Sequence, residues 1–445
     1  MRPPSTALGR VSAAFALTAV VAAFLIFVPL HRHWFDLKVY YGAVGYWGEG
    51  GRIYDYLKPG THYGFTYPPF AALVMLPMMA VGWYSAIAIS QSLNIVAAAV
   101  ILYICADATI RREGWTRWFT YAVLACLFAW MEPVRDTASF GQVNLLLLAL
   151  VLADAWLLTS ATARARRLHR LAGLGIGLAA AIKLTPAIFI VYLLVTRRLR
   201  AAGTAIAVAG GATALAAWAD REASRTFWTE AMWNTDRVGS LAFVSNQSWQ
   251  GMLARLTEPF AEPSRAIWAL GVLLLLSLWV WRARRAVAAG DELAGFALTG
   301  ITACLVSPVT WVHHLVWLIP GIAVLVDAGL RSAPGGERRK RLLLAAATSY
   351  LLLCSSIVWL WRWNQGGIPG IIGSNAYVWI SLALLLLLPF RAVRDGYGSH
   401  DHTGLSATMD ACAHATESPS PSRPSAPQAS PTPPDTKPAP SGSGV

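Results

Sequence analysis

Cysteine is scarce in this chain, and the few present are poorly placed for bonding. Of the five, Cys105, Cys126, Cys304 and Cys354 fall in apolar stretches and Cys412 in a polar tail, with no Cys-x-x-Cys pair. That pattern argues against a disulfide framework or a zinc site as the organising element. Charge is sparse too: Asp, Glu, Lys and Arg supply only 13% of the 445 residues, about half the share usual in a soluble domain. No repeat of solenoid length runs through the chain, and no clear inverted pair of halves is visible.

Apolar residues take up the room, at 56% of the whole. Several stretches of about 20 residues carry almost no charge, as transmembrane helices require because lipid cannot satisfy backbone polar groups. The chain therefore reads as an all-α polytopic membrane protein. Its first apolar run is long, has no convincing small-residue cleavage site and leads into further runs, so it is expected to be a retained helix rather than a signal peptide. Twelve spans are expected, at about 11–30, 84–106, 117–131, 142–160, 171–184, 187–197, 202–219, 268–282, 293–306, 312–330, 342–361 and 376–390. The two short ones meet at Ile182-Lys183-Leu184-Thr185-Pro186 and are flanked by Arg164, Arg166, Arg167 and Arg170 before and by Arg197, Arg198 and Arg200 after. Both flanks then lie on one side, and the pair forms a Pro-broken hairpin with Lys183 at its tip. The apolar run from Phe70 to Gly82 is too short to cross and is expected to be half inserted. From Gly398 to Val445 the sequence is rich in Pro and Ser with few large apolar residues, so 1–397 reads as the membrane domain and 398–445 as a disordered cytoplasmic tail.

Orientation follows from charge. With both termini cytoplasmic, the inner loops hold 22 of the 36 Lys and Arg residues against 12 in the outer loops, giving net charges of +14 and +1. This is the positive-inside pattern. The basic balance thus speaks for orientation and contact with anionic membrane lipids, not for nucleic-acid binding.

In this frame the polar clusters gather on the outer face. They are the loop at about 31–83, Glu132-Pro133-Val134-Arg135-Asp136 through Asn144, the Lys183 tip, Asn234-Thr235-Asp236-Arg237, Asn246-Gln247-Ser248, Ser307 to His313-His314, and Arg362 to Asn375. Asp36 stands out, because it follows the first span and opens the long aromatic loop. Two readings of it stand: an N-cap for a surface helix, or a base acting at the membrane surface. Lys183 either snorkels or pairs, or it holds an anionic ligand. Adjacent His313 and His314 diverge by about 100° on a helix, so one faces a site and the other packs. Asp154 is expected to be paired or solvated rather than catalytic. Asn246-Gln247-Ser248 matches a glycosylation sequon, a motif too short to carry an acceptor assignment. Trp47, Trp233, Trp249 and Trp311 fall in outer loops, where sugar faces can stack.

Five motifs in order, Phe35-Asp36-Leu37-Lys38-Val39-Tyr40-Tyr41, Phe65-Thr66-Tyr67-Pro68-Pro69, Phe140-Gly141-Gln142-Val143-Asn144, Lys183-Leu184-Thr185-Pro186 and Ser307-Pro308-Val309-Thr310-Trp311-Val312-His313-His314, together resemble glycosyltransferase family 87 of the GT-C superfamily. The likeness runs from about Val11 to Arg391. It implies a GT-C membrane fold that uses a polyprenyl-phosphate-mannose donor and a mannosylated phosphatidylinositol lipid acceptor in an inverting α-(1→2) transfer. By the resemblance Asp36 is the catalytic base. Lys183, Arg135 and one of His313 and His314 would hold the donor phosphate or sugar, with Tyr67, Gln142, Asn144 and Asn246 as weaker sugar or acceptor contacts. A lipid phosphate leaves as a stable anion, so no cofactor or metal is expected, and the outer clusters carry no Asp-x-Asp motif.

Alternatives from outside that transfer remain open at this level. A sister reaction would branch lipomannan. A lipid-sugar transporter would also use many spans and a buried lysine, although transporters place ionisable groups near mid-membrane and show repeated halves. A non-catalytic scaffold would leave Asp36 dispensable.

Overall fold

The computed structural model describes residues 6–27, 31–159, 167–234, 239–257 and 263–391. The expected tail with its boundary at 398, Cys412, Arg164, Arg166 and Thr235-Asp236-Arg237 lie outside these residues. Among the described residues the structure is helical, with one isolated bridge between Leu57 and Gly64 and no extended strand.

Each of the twelve expected segments falls on helix, but helix lengths do not by themselves give twelve crossings. Five helices are long and apolar enough to cross a membrane: Ala7–Phe27, Trp83–Arg112, Leu199–Ala219, Arg265–Ala288 and Val312–Arg331. Two bent pairs qualify only when joined, Glu132–Phe140 with Asn144–Thr159 at 119° and Gly367–Ser374 with Ala376–Leu387 at 62°. The lysine hairpin consists of Leu174–Ile182 and Ile188–Val195. Eight residues rise only about 12 Å, less than half of the hydrocarbon thickness. Pro69–Met75 runs into a 3-10 turn at Leu76–Ala80 and is likewise too short to cross as a helix.

Glu292–Val306 is buried along nearly its whole length and forms the bundle's axis. It packs with Asn144–Thr159, Arg265–Ala288 and the helix Ile319–Arg331 in one continuous apolar core. The hairpin joins this core through small residues. A Cβ on Gly173 would stand 2.1 Å from the Ala201 carbonyl oxygen, and one on Gly177 would stand 2.7 Å from that of Ala205. Only glycine allows Leu174–Ile182 to lie this close to Leu199–Ala219. Asp154 Oδ2 accepts the Ile176 backbone N–H at 2.8 Å, so this carboxylate is tied to the hairpin's first turn.

A second, smaller apolar core sits in the loop expected at 31–83. Helix Phe35–Gly48, the segment through Phe65 and Tyr67, helix Pro69–Met75 and helix Arg221–Thr226 pack around Tyr40, Tyr54, Phe65, Met75 and Phe227. Tyr54 fixes the returning chain by donating from its hydroxyl to the Tyr67 carbonyl at 2.8 Å. This cap holds the motif Phe65-Thr66-Tyr67 against the start of Phe35–Gly48.

Candidate active site

Three helix breaks meet under that cap, and glycine or proline sits at each. At the first, helix Glu132–Phe140 ends on Gly141 at φ +72°, where a Cβ would lie 2.5 Å from Leu37 Cβ. A left-handed turn without a side chain therefore brings the next residue, Gln142, beneath helix Phe35–Gly48. Trp34 strengthens the junction by donating its backbone N–H to the Ser139 carbonyl at 2.8 Å.

Asp36 does not cap its helix; no side-chain cap bond forms at that terminus. Its Oδ2 accepts from Gln142 Nε2 at 2.7 Å. The Gln142 carbonyl oxygen in turn accepts from the Tyr67 hydroxyl at 2.6 Å, and Tyr40 donates to the Tyr67 oxygen at 2.9 Å. The amide is thereby oriented, nitrogen toward the carboxylate and oxygen toward the phenol. Asp36 thus has a neutral partner, and its Oδ1 receives no hydrogen bond from the described residues. Burial pushes its pKa up to about 6, against the opposing pull of the Gln142 bond and the Lys183 charge. Burial also raises the hydroxyls of Tyr67 and Tyr40, which keeps both as donors.

The second break carries Lys183. Its extended backbone ends helix Leu174–Ile182, and Pro186 cannot prolong that helix. The ammonium reaches Asn144 Oδ1 at 3.0 Å, the Tyr67 oxygen at 3.3 Å and His314 Nε2 at 2.9 Å, and stands 5.0 Å from the Tyr67 ring centre. At the third break, after Pro308, Trp311 donates its backbone N–H to His314 Nδ1 at 3.2 Å. Asn144 also donates to the His313 carbonyl at 3.3 Å. Asp36, Gln142, Tyr67, Asn144, Lys183 and His314 therefore form one hydrogen-bonded cluster drawn from five separate segments. A carboxylate with a free oxygen and a cation among neutral donors suit proton removal and anion binding respectively.

The structure divides the two histidines. His314 bonds Lys183, whereas the His313 ring is buried, lies 5.2 Å from the Phe140 ring and finds no polar partner for either nitrogen among the described residues. Two expected site residues are elsewhere. Arg135 donates to the Cys354 carbonyl and Ser356 Oγ, both at 3.3 Å, and stacks on Phe24 at 4.9 Å; its place on helix Glu132–Phe140 aims it at a different neighbour. Asn246 is fully buried and spends its amide on loop closure, accepting from the Thr310 N–H at 2.9 Å and donating to the Leu241 and Pro308 carbonyls. Its side chain is thus committed to the protein's own backbone. Tyr40 joins the cluster without having been expected. The signal was its position four residues after Asp36, on the same helical face.

Glycosyltransferase family 87 matches residues 65–308 of this chain. A relative from Mycolicibacterium smegmatis named polyprenol-phosphate-mannose-dependent alpha-(1-2)-phosphatidylinositol mannoside mannosyltransferase is 32% identical over 83% of this chain and 85% of its own length. One of the same name from Mycobacterium tuberculosis is 31% identical over 66% and 71%. A third, the alpha-(1-2)-phosphatidylinositol pentamannoside mannosyltransferase of M. smegmatis, is 32% identical over 75% and 80%. Among solved structures, ArnT from Cupriavidus metallidurans in the apo state aligns over 86% of this chain and 77% of its own at 17% identity, with a TM-score of 0.39. By the family match and these relatives, the chain belongs to glycosyltransferase family 87.

Proposed function

We propose that this protein transfers mannose from polyprenyl-phosphate-mannose to a phosphatidylinositol mannoside, as an inverting α-(1→2)-mannosyltransferase of the GT-C type. It works within a twelve-span membrane domain with cytoplasmic termini and an outward-facing site. The relatives' printed activities support the donor and acceptor classes. The observation that carries the chemistry is the Asp36 carboxylate, bonded by neutral Gln142 and linked through Tyr67 to Lys183.

The acceptor hydroxyl gives its proton to Asp36 Oδ1 while its oxygen forms the new bond to the sugar's anomeric carbon. On the opposite face the bond to phosphate breaks, and its electron pair leaves with the lipid phosphate. A pKa near 6 leaves Asp36 mostly ionised at neutral pH and yet more basic than an ordinary carboxylate. Lys183 meets the phosphate's charge, and the Asn144 side-chain oxygen holds the ammonium in place. Arg135 has no part in this step, and no metal or cofactor is invoked.

The test is purified protein supplied with synthetic polyprenyl-phosphate-mannose and a phosphatidylinositol mannoside. The expected outcome is a product heavier by one hexose, with an α-(1→2) linkage by nuclear magnetic resonance and turnover that survives a chelator. Absence of hexose transfer from an intact, donor-binding protein would overturn the reading.

A further inference from the structure

A cavity among the described residues lies far from Asp36. Helices Asn144–Thr159, Glu292–Val306 and Val312–Arg331 each have one end near the Lys183 cluster and the other at this cavity. The first of them alone separates the two places by about 24 Å. The cavity holds about 710 Å³, and its walls include the ends of Trp83–Arg112 and Asn144–Thr159, the Gly290–Leu293 turn, residues 331–333 and 336–339, and Phe390-Arg391.

Its chemistry is amphipathic. Ile104, Trp156, Leu293, Val324 and Phe390 supply apolar wall. Every carboxylate on the lining is already engaged. Asp107 takes Arg111 and Arg117, Asp327 takes Arg112 and Arg331, and Glu292 takes Arg198. Asp291 accepts the Ala294 and Arg391 backbone N–H groups, and Glu337 takes Lys340. Arg339 donates to the Leu330 and Ser332 carbonyls. Two guanidiniums on the same lining, Arg338 and Arg391, have no side-chain partner among the described residues. The rim therefore presents two guanidiniums that no side chain occupies above an apolar wall.

We propose that this cavity binds an anionic phospholipid, with its phosphate between Arg338 and Arg391 and its acyl portion along Trp156 and Phe390. A free phosphate would satisfy the arginines but leave the apolar wall wet. A zwitterionic lipid would fill the wall but bring its own cation to the arginines. Basic pockets between membrane helices select anionic headgroups for this reason. The inference rests on membrane residence and on this lining, and it stands apart from the identity of the sugar transferred.

Full-length protein in detergent, tested by native mass spectrometry and thermal unfolding, decides it. Three probes are added in turn: phosphatidylglycerol, phosphatidylcholine and inorganic phosphate. The expected result is retention of phosphatidylglycerol with a raised midpoint, and affinity on the order of ten- to thirtyfold weaker in the double variant Arg338→Ala/Arg391→Ala, from about one surface-charge contribution per arginine. Both side chains are exposed, so the variant should fold; Arg225→Ala, exposed on another helix, controls for general charge loss and should behave as wild type. Equal binding of phosphatidylcholine, a full shift from inorganic phosphate alone, or unchanged phosphatidylglycerol binding in the double variant would each overturn the proposal. Mannosyl transfer measured in parallel separates failure of this site from failure of the active-site reading.

Discussion

The two ends of the same helices treat their carboxylates in opposite ways. At the cavity end, Asp107 and Asp327 each face two arginines, and Asp327 also accepts from the Thr109 hydroxyl at 2.7 Å. At the other end, Asp36 has one neutral amide partner and a free oxygen. An arginine pair neutralises a carboxylate and makes it a poor proton acceptor, whereas burial beside an amide keeps the charge and raises the basicity. The backbone differs in the same sense. The Asp36 end is assembled from broken helices at Gly141, Lys183-Pro186 and Pro308, while the cavity end is built chiefly from helix termini clamped by ion pairs. One end is arranged for reaction and the other for holding the bundle together.

The strongest way to break this contrast is to neutralise one carboxylate at each end. Asp36→Asn keeps the size and the helix but accepts no proton, so transfer should fall on the order of 10²–10⁴-fold with donor binding retained. Asp327→Asn should keep turnover near wild type and instead lower the unfolding midpoint, having left Arg112 and Arg331 short of an anion, at a cost of about 1–3 kcal/mol. The reverse pattern, with Asp327→Asn inactive and Asp36→Asn active, would show that the ends have been assigned wrongly.

A smaller effect is expected at the cation. Lys183→Ala removes a charge-assisted contact of about 1.5–3 kcal/mol, so the donor KM should rise on the order of 10- to 150-fold. Lys183→Arg should recover part of this, since charge survives while geometry changes. Donor titrations that match wild type in both variants would return Lys183 to a purely structural role.

Gly141 tests whether the break itself matters. Gly141→Ala places a Cβ against Leu37 at a positive φ, costing about 1–3 kcal/mol, and should shift Gln142 from Asp36. Slower transfer with a lower unfolding midpoint is expected; full activity would mean the Gln142 bond is dispensable. Least affected should be Arg135→Ala. It loses its contacts to Cys354 and Ser356, about 1 kcal/mol of stability, and should change donor KM by less than about threefold. A large rise in KM would restore Arg135 to the phosphate site.

Much of this site was readable in the sequence because its members sit beside helix breakers. Gln142 and Asn144 follow Gly141, Lys183 precedes Pro186, and His314 follows Pro308, so each polar residue was marked by the interruption that positions it. Position in the chain marked Asp36 as well. What sequence could not supply was direction. Arg135 lies on the turn before Gly141 and rotates toward Phe24 and Cys354, while Asn246 is drawn into closing its own loop onto Thr310. Both depend on tertiary packing that no local motif encodes. The number of crossings was hard to read for a related reason: apolar runs report helix but not whether a helix of eight residues, such as Ile188–Val195, traverses or turns back.

The most direct measurement is the pH dependence of kcat/KM for mannose transfer. With Asp36 as base at a pKa near 6, the active form is the ionised one, so wild-type activity should decline as pH falls through about 6. The residual activity of Asp36→Asn should show no such acid limb. An identical limb in both proteins would contradict the assignment of Asp36 as the base.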